Sequence, residues 1–328
     1  MRVEVPYGGP RLFLPIIWLI LTFPRKGIRV KQVFSSISRD PILGLLLVLP
    51  LLLWVAATLL YPAANAVYIS FSNVRYVGVP AEFVGFSNFE RVFSEREFWN
   101  SVIRTVIWVV LNVVLQLVGS VGVALILNQE YKGKEFVRNW VILPWVLPTI
   151  VLAIVWKWIL DPTHGVANHL LMWLGIIERP IEFLSSTTWA LPTVTLLNCW
   201  RWTPYFSIIV LAALQTVPRE LHEAAAMDGA SIWKRFTRVT LPSISPILKV
   251  IALNSFLWSA NIFDTIWLLT RGGPLSHTTT LPIYIYSKAF RSFRFSEAAA
   301  ASILMFLGLL FFVILYLGTL LKEEGAGR

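Results

Sequence analysis

Apolar and polar positions in this chain fall into long apolar runs separated by charged interruptions. Six runs, near 43–68, 103–127, 139–160, 188–214, 244–270 and 298–321, are long enough to cross a bilayer, which takes about 20 residues as a helix. The pattern predicts an all-α integral membrane protein of about six transmembrane helices. It divides the chain into an N-terminal segment 1–40, a transmembrane domain 41–321 and a tail 322–328. Run length does not fix the tilt of any span.

Composition agrees. Of 328 residues, 56% are hydrophobic and only 14% charged, and mean hydropathy is +0.69; a soluble domain carries about a quarter charged residues. The net charge of +10 would suit a nucleic-acid binder, but the basic residues follow the loops. With the N-terminus inside, the segments on that side, among them those with Lys132, Lys134, Lys234 and Arg235, hold twice as many Lys and Arg as the opposite loops. That bias places both termini in the cytoplasm and the chain in the cytoplasmic membrane, surrounded by lipid, with no nucleic-acid partner.

The run Leu12–Phe23 is too short for a span and carries Pro15. No small-residue cleavage site follows it; Pro24-Arg25-Lys26 does. It reads as an interfacial helix within 1–40, pinned by Arg11 and Arg25; a seventh span or a misplaced start are the other readings. Cys199 is the single cysteine, so no intrachain disulfide forms.

Three outer loops follow from this topology. The first holds Phe83-Val84-Gly85-Phe86-Ser87-Asn88-Phe89, a Gly-turned apolar cluster, and the second holds Leu170–Leu174, read as a short interfacial helix. In the third, Arg271-Gly272-Gly273-Pro274 breaks the helix.

The inside loop 217–243 is the most organised polar segment. Pro218 presets the first turn of a helix over Arg219–Met227, and Asp228-Gly229 ends it. Ser231 can cap a second short helix running through Arg238, which should stop before Leu241-Pro242. Small Ala224, Ala225 and Ala226 let another backbone approach. An ordinary connector is the plainer reading, but connectors are usually short and unstructured.

Glu223-Ala224-Ala225, three residues, Gly229, nine residues, Val239, one residue and Leu241-Pro242 together resemble the signature loop of permease subunits of binding-protein-dependent ABC importers. Val239 stands where that pattern has Ile. The resemblance covers about 43–321. Phe83–Phe89 is similar to the family's first outer-loop motif, and Leu269–Pro274 followed by Tyr286 and Phe290 is similar to the last; both are typical of the sugar-importing branch. The resemblance implies a non-catalytic subunit that pairs with a second homologous permease. Two ATP-binding subunits would dock inside and an extracytoplasmic solute-binding protein outside. ATP and Mg would belong to the ATPases: no Gly-x-x-x-x-Gly-Lys-Ser/Thr phosphate loop occurs in this chain, and the resemblance implies no cofactor or metal of its own. The ATPase-coupling residues are then Glu223, Ala224, Ala225, Asp228, Gly229, Trp233, Leu241 and Pro242.

Polar groups inside spans are costly and tend to face a bundle or a cavity. Asn198, Trp202 and Tyr205 share one helical face with Phe206 beside them, and Ser255 and Ser259 lie one turn apart near Asn254, Trp258 and Asn261. Amides and hydroxyls interleaved with rings suit a sugar, whose hydroxyls need partners and whose C–H faces lie on rings. Asn198, Trp202, Tyr205, Phe206, Ser255, Trp258, Ser259 and Asn261 are the expected substrate pathway; the plainer alternative is that such groups only join helices. Asn112 and Gln116 are weaker candidates. Arg201 and Asp264, the two strongly charged residues in mid-segment, read as a structural ion pair.

These observations predict an ATP-driven importer of a disaccharide or short oligosaccharide, working by alternating access. Glycerol phosphate or another polar solute is the alternative cargo. A secondary transporter driven by an ion gradient is the alternative class, with Asp264 its sole candidate coupling carboxylate within a span. His164, His169, His222 and His277 are scattered without metal-ligand spacing, which leaves a metalloenzyme unsupported.

Overall fold

The computed structural model describes residues 41–74 and 82–326, with side chains from 44 to 320. The expected interfacial helix at Leu12–Phe23 and the far end of the tail lie outside the described residues. The chain divides into two units, Met1–Ala64 and Asn65–Arg328.

In the first unit, α1 (Pro41–Val55) passes through a π-helical turn, Ala56–Leu60, into α2 (Tyr61–Ser70), whose residues fall on both sides of the division. The π turn lies just ahead of Pro62. Tyr61 N–H reaches back to the Ala56 carbonyl, five residues away, so the wide turn absorbs a proline that would obstruct an ordinary one.

The second unit opens with two short antiparallel strands, β1 (Ser72–Asn73) and β2 (Glu82–Phe83), with Ser72 opposite Phe83. Gly85, at φ +60°, turns the chain into α3 (Ser87–Ser94). Phe71, Phe86 and Phe89 then cluster with centroids 5.1–5.8 Å apart, forming the apolar cluster expected of this loop. α4 (Arg96–Asn128) is the long central helix, about 50 Å at 1.5 Å per residue.

The third apolar run is not one straight helix. α5 (Lys134–Val146) and α6 (Thr149–Ile159) meet at 97°. The break falls at Leu147-Pro148, where the residue before proline is driven to an extended backbone, ψ 138°. A short helix, α7 (Val166–Trp173), stands where the interfacial helix was expected, and α8 (Ala190–Gln215) follows.

The inside loop gives α9 (Arg219–Met227) and α10 (Ile232–Arg235). Here the structure corrects the sequence reading: the second short helix does not stop before Leu241-Pro242. It runs through a π turn, Phe236–Thr240, into α11 (Leu241–Asn261), making one helical run Ile232–Asn261. Leu241 N–H bonds to the Phe236 carbonyl, so Pro242, like Pro62, is taken up by a widened turn. The fifth apolar run breaks at Ile262-Phe263 and continues as α12 (Asp264–Thr270). Arg271 and Gly272 take the left-handed backbone at the expected stop, φ 54° and 87°. α13 (Leu281–Tyr286), a π turn Ser287–Arg291 and α14 (Phe295–Ala326) complete the described chain.

Four helical runs among the described residues pass as membrane spans by length and apolarity, Gly44–Ser70, Arg96–Asn128, Ile232–Asn261 and Phe295–Leu320, and the bent α5–α6 pair makes a fifth. α8, with 26 residues, is long enough but carries Asn198, Arg201 and several Thr. It is well enclosed: Phe206, Val210 and Leu211 are buried, packed with Ala124 and Leu127 of α4 and Ile244 and Ile251 of α11, and Val194 is buried in a second cluster with Trp108 of α4 and Ala260 of α11.

α4 shows how the bundle is held. Ser101, Thr105, Trp108, Asn112, Gln116, Ser120, Ala124 and Leu127, spaced three or four apart, are buried. Ile103, Val106, Val110, Val114 and Val118 on the remaining surface are exposed. This is the inverse of a soluble amphipathic helix: polar groups turn inward to partners and apolar ones outward to hydrocarbon. Gly119 permits the closest approach, since a Cβ there would lie 3.1 Å from Thr203 Cγ2 on α8.

Candidate functional site

Two regions concentrate the candidate residues: the loop between α8 and α11, and the contact of α8 with α11.

At the loop, α9 ends in a Schellman arrangement. Ala230 N–H donates to the Ala225 carbonyl (2.9 Å) and Gly229 N–H to that of Ala226 (3.0 Å), with Gly229 at φ +72°. A Cβ on Gly229 would meet nothing within 4 Å, so glycine serves the backbone conformation rather than close packing. Ser231 caps α10 by accepting from Lys234 N–H at 3.3 Å. Glu223, Ala224, Asp228 and Gly229 are exposed and Ala225 is half-buried. Met227, Ile232 and Trp233 are 89%, 79% and 71% exposed, with the Phe236 ring tilted against Trp233 at 5.6 Å. Leu241 and Pro242 lie at the start of α11, where the knuckle joins a span.

At the α8–α11 contact, the pathway candidates separate into two sets. Asn198 and Ser255 are fully buried and Ser259 is nearly so. Asn198 Nδ2 donates to Asn112 Oδ1 (2.6 Å), Gln116 Nε2 donates to the same oxygen (3.2 Å), and Ser255 Oγ donates to Gln116 Oε1 (2.7 Å). The Ser259 carbonyl accepts from Trp108 Nε1 at 2.9 Å. These groups form a seam joining α4, α8 and α11, and Asn112 and Gln116 are its centre.

Trp202, Tyr205, Trp258 and Asn261 turn elsewhere. Trp202 and Tyr205 are half-buried, Trp258 and Asn261 exposed. Trp258 lies 4.9 Å from Trp202 and 5.4 Å from Tyr205, centroid to centroid. Phe206 is buried behind them, 6.0 Å from Trp258. Trp145 of α5 stacks on Tyr205 at 5.2 Å and 27°. Sequence reasoning passed over Trp145; its signal was its place between Pro144 and Leu147-Pro148, because broken helices inside a membrane tend to mark ligand sites.

Arg201 and Asp264 pair at 3.7 Å, as their mid-segment positions suggested. Arg201 is mostly enclosed and also lies 5.4 Å over the Trp202 ring.

A third polar region lies at the ends of the helices remote from the knuckle. Lys288 bonds to Glu95 and, at 3.1 Å, to Glu297, while Arg294 approaches Glu95 at 3.7 Å and Glu297 at 3.4 Å. Tyr284 Oη donates to Glu95 Oε2 at 2.7 Å. Burial pushes the Glu95 carboxyl up, but the bonds from Lys288 and Tyr284 and the charges of Lys288 and Arg294 outweigh it and hold it below the usual carboxylate range. The Tyr284 hydroxyl is pushed up by burial and by the Glu95 charge. Among the described residues no group of three or more His, Cys, Asp or Glu is arranged to hold a metal ion.

Comparison with known proteins gives this geometry a context. The chain is 34% identical over 279 residues to the trehalose/maltose transport system permease protein of Thermococcus litoralis, covering 85% of this chain and 94% of that protein. Its fold matches that of a bacterial ABC transporter involved in the import of the acidic polysaccharide alginate, with TM-score 0.75 and 27% identity over 88% of this chain and 98% of that one. It also matches, at TM-score 0.74 and 27% identity over 87% and 96%, the bacterial alginate ABC transporter in complex with an alginate pentasaccharide-bound periplasmic protein. Residues 116–321, from the seam through the knuckle to the last span, match the family model described as the inner membrane component of binding-protein-dependent transport systems, and the chain belongs to that family.

Proposed function

We propose that this chain is one of two homologous permease subunits of an ATP-driven sugar importer. It receives a disaccharide or short oligosaccharide from an extracytoplasmic binding protein and passes it across the cytoplasmic membrane by alternating access. In this reading the knuckle and both termini face the cytoplasm, and an ATPase subunit seats Met227, Ile232 and Trp233, the kind of apolar anchors that dominate interfaces. Glu223 offers its carboxylate to a donor on that subunit.

The observation that carries the reading is the helical run Ile232–Asn261. It bears the exposed Trp233 near one end and the exposed Trp258 near the other, about 38 Å apart along the axis. Motion imposed on the knuckle therefore reaches the aromatic face through one helix. Trp202, Tyr205, Trp258 and Asn261 would meet the sugar, while Asn198, Ser255 and Ser259 hold the helices that carry them, with Phe206 as backing. The relatives' cargoes, trehalose or maltose and alginate, support a sugar. Asp264 is engaged with Arg201, which disfavours an ion-coupled carrier using that carboxylate. Sugar shifts the inward–outward equilibrium only by its differential affinity for the two states.

The test is purification of the tagged chain from its host. A second permease and an ATPase should accompany it, with hydrolysis stimulated by a binding protein loaded with maltose or trehalose. Glu223→Lys or Gly229→Asp should leave insertion intact and abolish that stimulation. Gly229→Asp places a side chain on a left-handed backbone and a negative charge on the exposed knuckle. A chain that purifies alone and moves sugar without nucleotide overturns the proposal.

A further inference from the structure

Tyr286 and Phe290, noted in the outer motif, have no role in the pathway described above. They line a cleft of about 450 Å³ at the end of α11 remote from the knuckle, between Asn261, the α13 segment and α14. That volume lies within the range of small-molecule sites, about 300–1,000 Å³.

One wall is a ladder of rings. Phe263 and Tyr286 stand 4.8 Å apart and Tyr286 and Phe290 5.1 Å. Trp267 packs behind, 5.3 Å from Phe263 and 4.6 Å from Tyr286. Phe290 is 60% exposed. Three polar groups face the same space with capacity to spare. Asn261 donates one amide hydrogen to the Leu257 carbonyl (2.8 Å), leaving its oxygen and second hydrogen. Ser302 donates to the Ala298 carbonyl (2.9 Å), leaving its lone pairs, and Tyr286 contributes a hydroxyl. Among the described residues, no charged one lines the cleft. Arg291, 5.9 Å from the Trp267 ring, belongs to the neighbouring charged cleft with Lys288 and Glu95.

We infer that this cleft is an entry subsite for a neutral sugar ring, which stacks its C–H face on Tyr286 and Phe290 and hydrogen-bonds to Asn261, Tyr286 and Ser302. The inference rests on the importer reading. Asn261 lies three residues, about one helical turn, beyond Trp258, so a sugar leaving this subsite meets the α8–α11 aromatic face next. An acidic sugar would bring a carboxylate to a cleft without a cation. A lipid chain would leave the amide and hydroxyls without partners, which is costly in an apolar setting.

The experiment uses the whole transporter with its binding protein, reconstituted in vesicles, in a Cys199→Ala background. Phe290→Cys and Ser302→Cys should react with a membrane-impermeant thiol reagent, and maltose or trehalose supplied with the binding protein should slow the reaction. Tyr286→Ala should cut uptake of that sugar about tenfold while the loaded binding protein still stimulates ATP hydrolysis. Tyr286→Trp, which restores a ring, should recover most of the uptake. A merely structural role would lower both readings together. A wild-type complex that moves neither sugar defeats the importer reading as stated, and this inference with it. A working wild type whose cleft cysteines do not react, because lipid or the second permease covers them, overturns the inference alone. So does one in which sugar gives no protection or Tyr286→Ala transports normally.

Discussion

The seam and the aromatic face share α8 and α11 and are built from opposite chemistry. On α8, Asn198 turns to Asn112 and is fully buried, while Trp202 and Tyr205, one and two turns further on, face Trp258 and Trp145. On α11, Ser255 turns to Gln116 while Trp258 stays open. Inside hydrocarbon a neutral amide finds its best partner in another amide, so the strongest hydrogen-bonding groups are consumed in holding helices together. What remains for a passing ligand is a surface of rings with a few spare polar atoms.

The largest effect should come from breaking the seam. Asn112 Oδ1 accepts from both Asn198 and Gln116, with the Cys199 thiol 3.5 Å away. Asn112→Leu strands those donors and should cost about 2–3 kcal/mol of stability, measured by thermal unfolding in detergent. Trp258→Ala should do the reverse: uptake falls about tenfold or more, and the unfolding temperature moves little because the ring is already partly open. If Asn112→Leu instead keeps its stability and loses uptake, the seam is part of the pathway and the two regions are one.

Acid separates the neutral seam from the ionic cluster at the far ends of the helices. Glu95 is held below its ordinary carboxyl range of 4.5, so its ionised form adds stability that is complete above that range. The contribution disappears as pH falls through the lower, folded-state value. The stability difference between wild type and Glu95→Gln should therefore be present at pH 7 and shrink below about pH 4.5, whereas that between wild type and Asn112→Leu should not track this titration. A Glu95→Gln difference that persists unchanged into acid would mean that packing, not charge, is what Glu95 supplies.

How much of this was legible depended on whether the signal was local. The knuckle was readable because caps and stops are local: Pro218, Gly229 and Ser231 act within one turn of themselves. Two proline sites that the structure treats differently were local as well, but there two rules competed. Leu147-Pro148 lay inside an apolar run long enough to cross, and length outweighed proline. Leu241-Pro242 predicts a stop, yet a π turn carries the helix past it. The division of the pathway candidates was not readable. The direction in which Asn198 or Trp202 points is set by which neighbour α8 meets, and periodicity names a face without naming what lies against it. Asn112 and Gln116 were visible as polar residues in a span, but their role depends on Asn198 and Ser255, 86 and 139 residues away along the chain.

The smallest effect, and a sharp one for cargo, belongs to Arg201. It lies beside the aromatic face, enclosed to 16% exposure, 3.7 Å from Asp264 and 5.4 Å over Trp202. Asp264 is 51% exposed, so solvent screens the pair and its net worth should be about 0–1 kcal/mol. Replacing both partners, Arg201→Gln with Asp264→Asn, removes two opposite charges and strands neither. With a neutral sugar as cargo, uptake by the double variant should stay within about twofold of wild type, a change of under ~0.5 kcal/mol. Arg201→Gln alone should do little more, because the cargo makes no ionic contact to lose. An anionic sugar would need Arg201 as its counterion, and then either variant should cost about tenfold or more in uptake. Measured beside Trp258→Ala, which removes stacking and no charge, the ratio of the two losses tells whether the pathway recognises its sugar by rings or by charge.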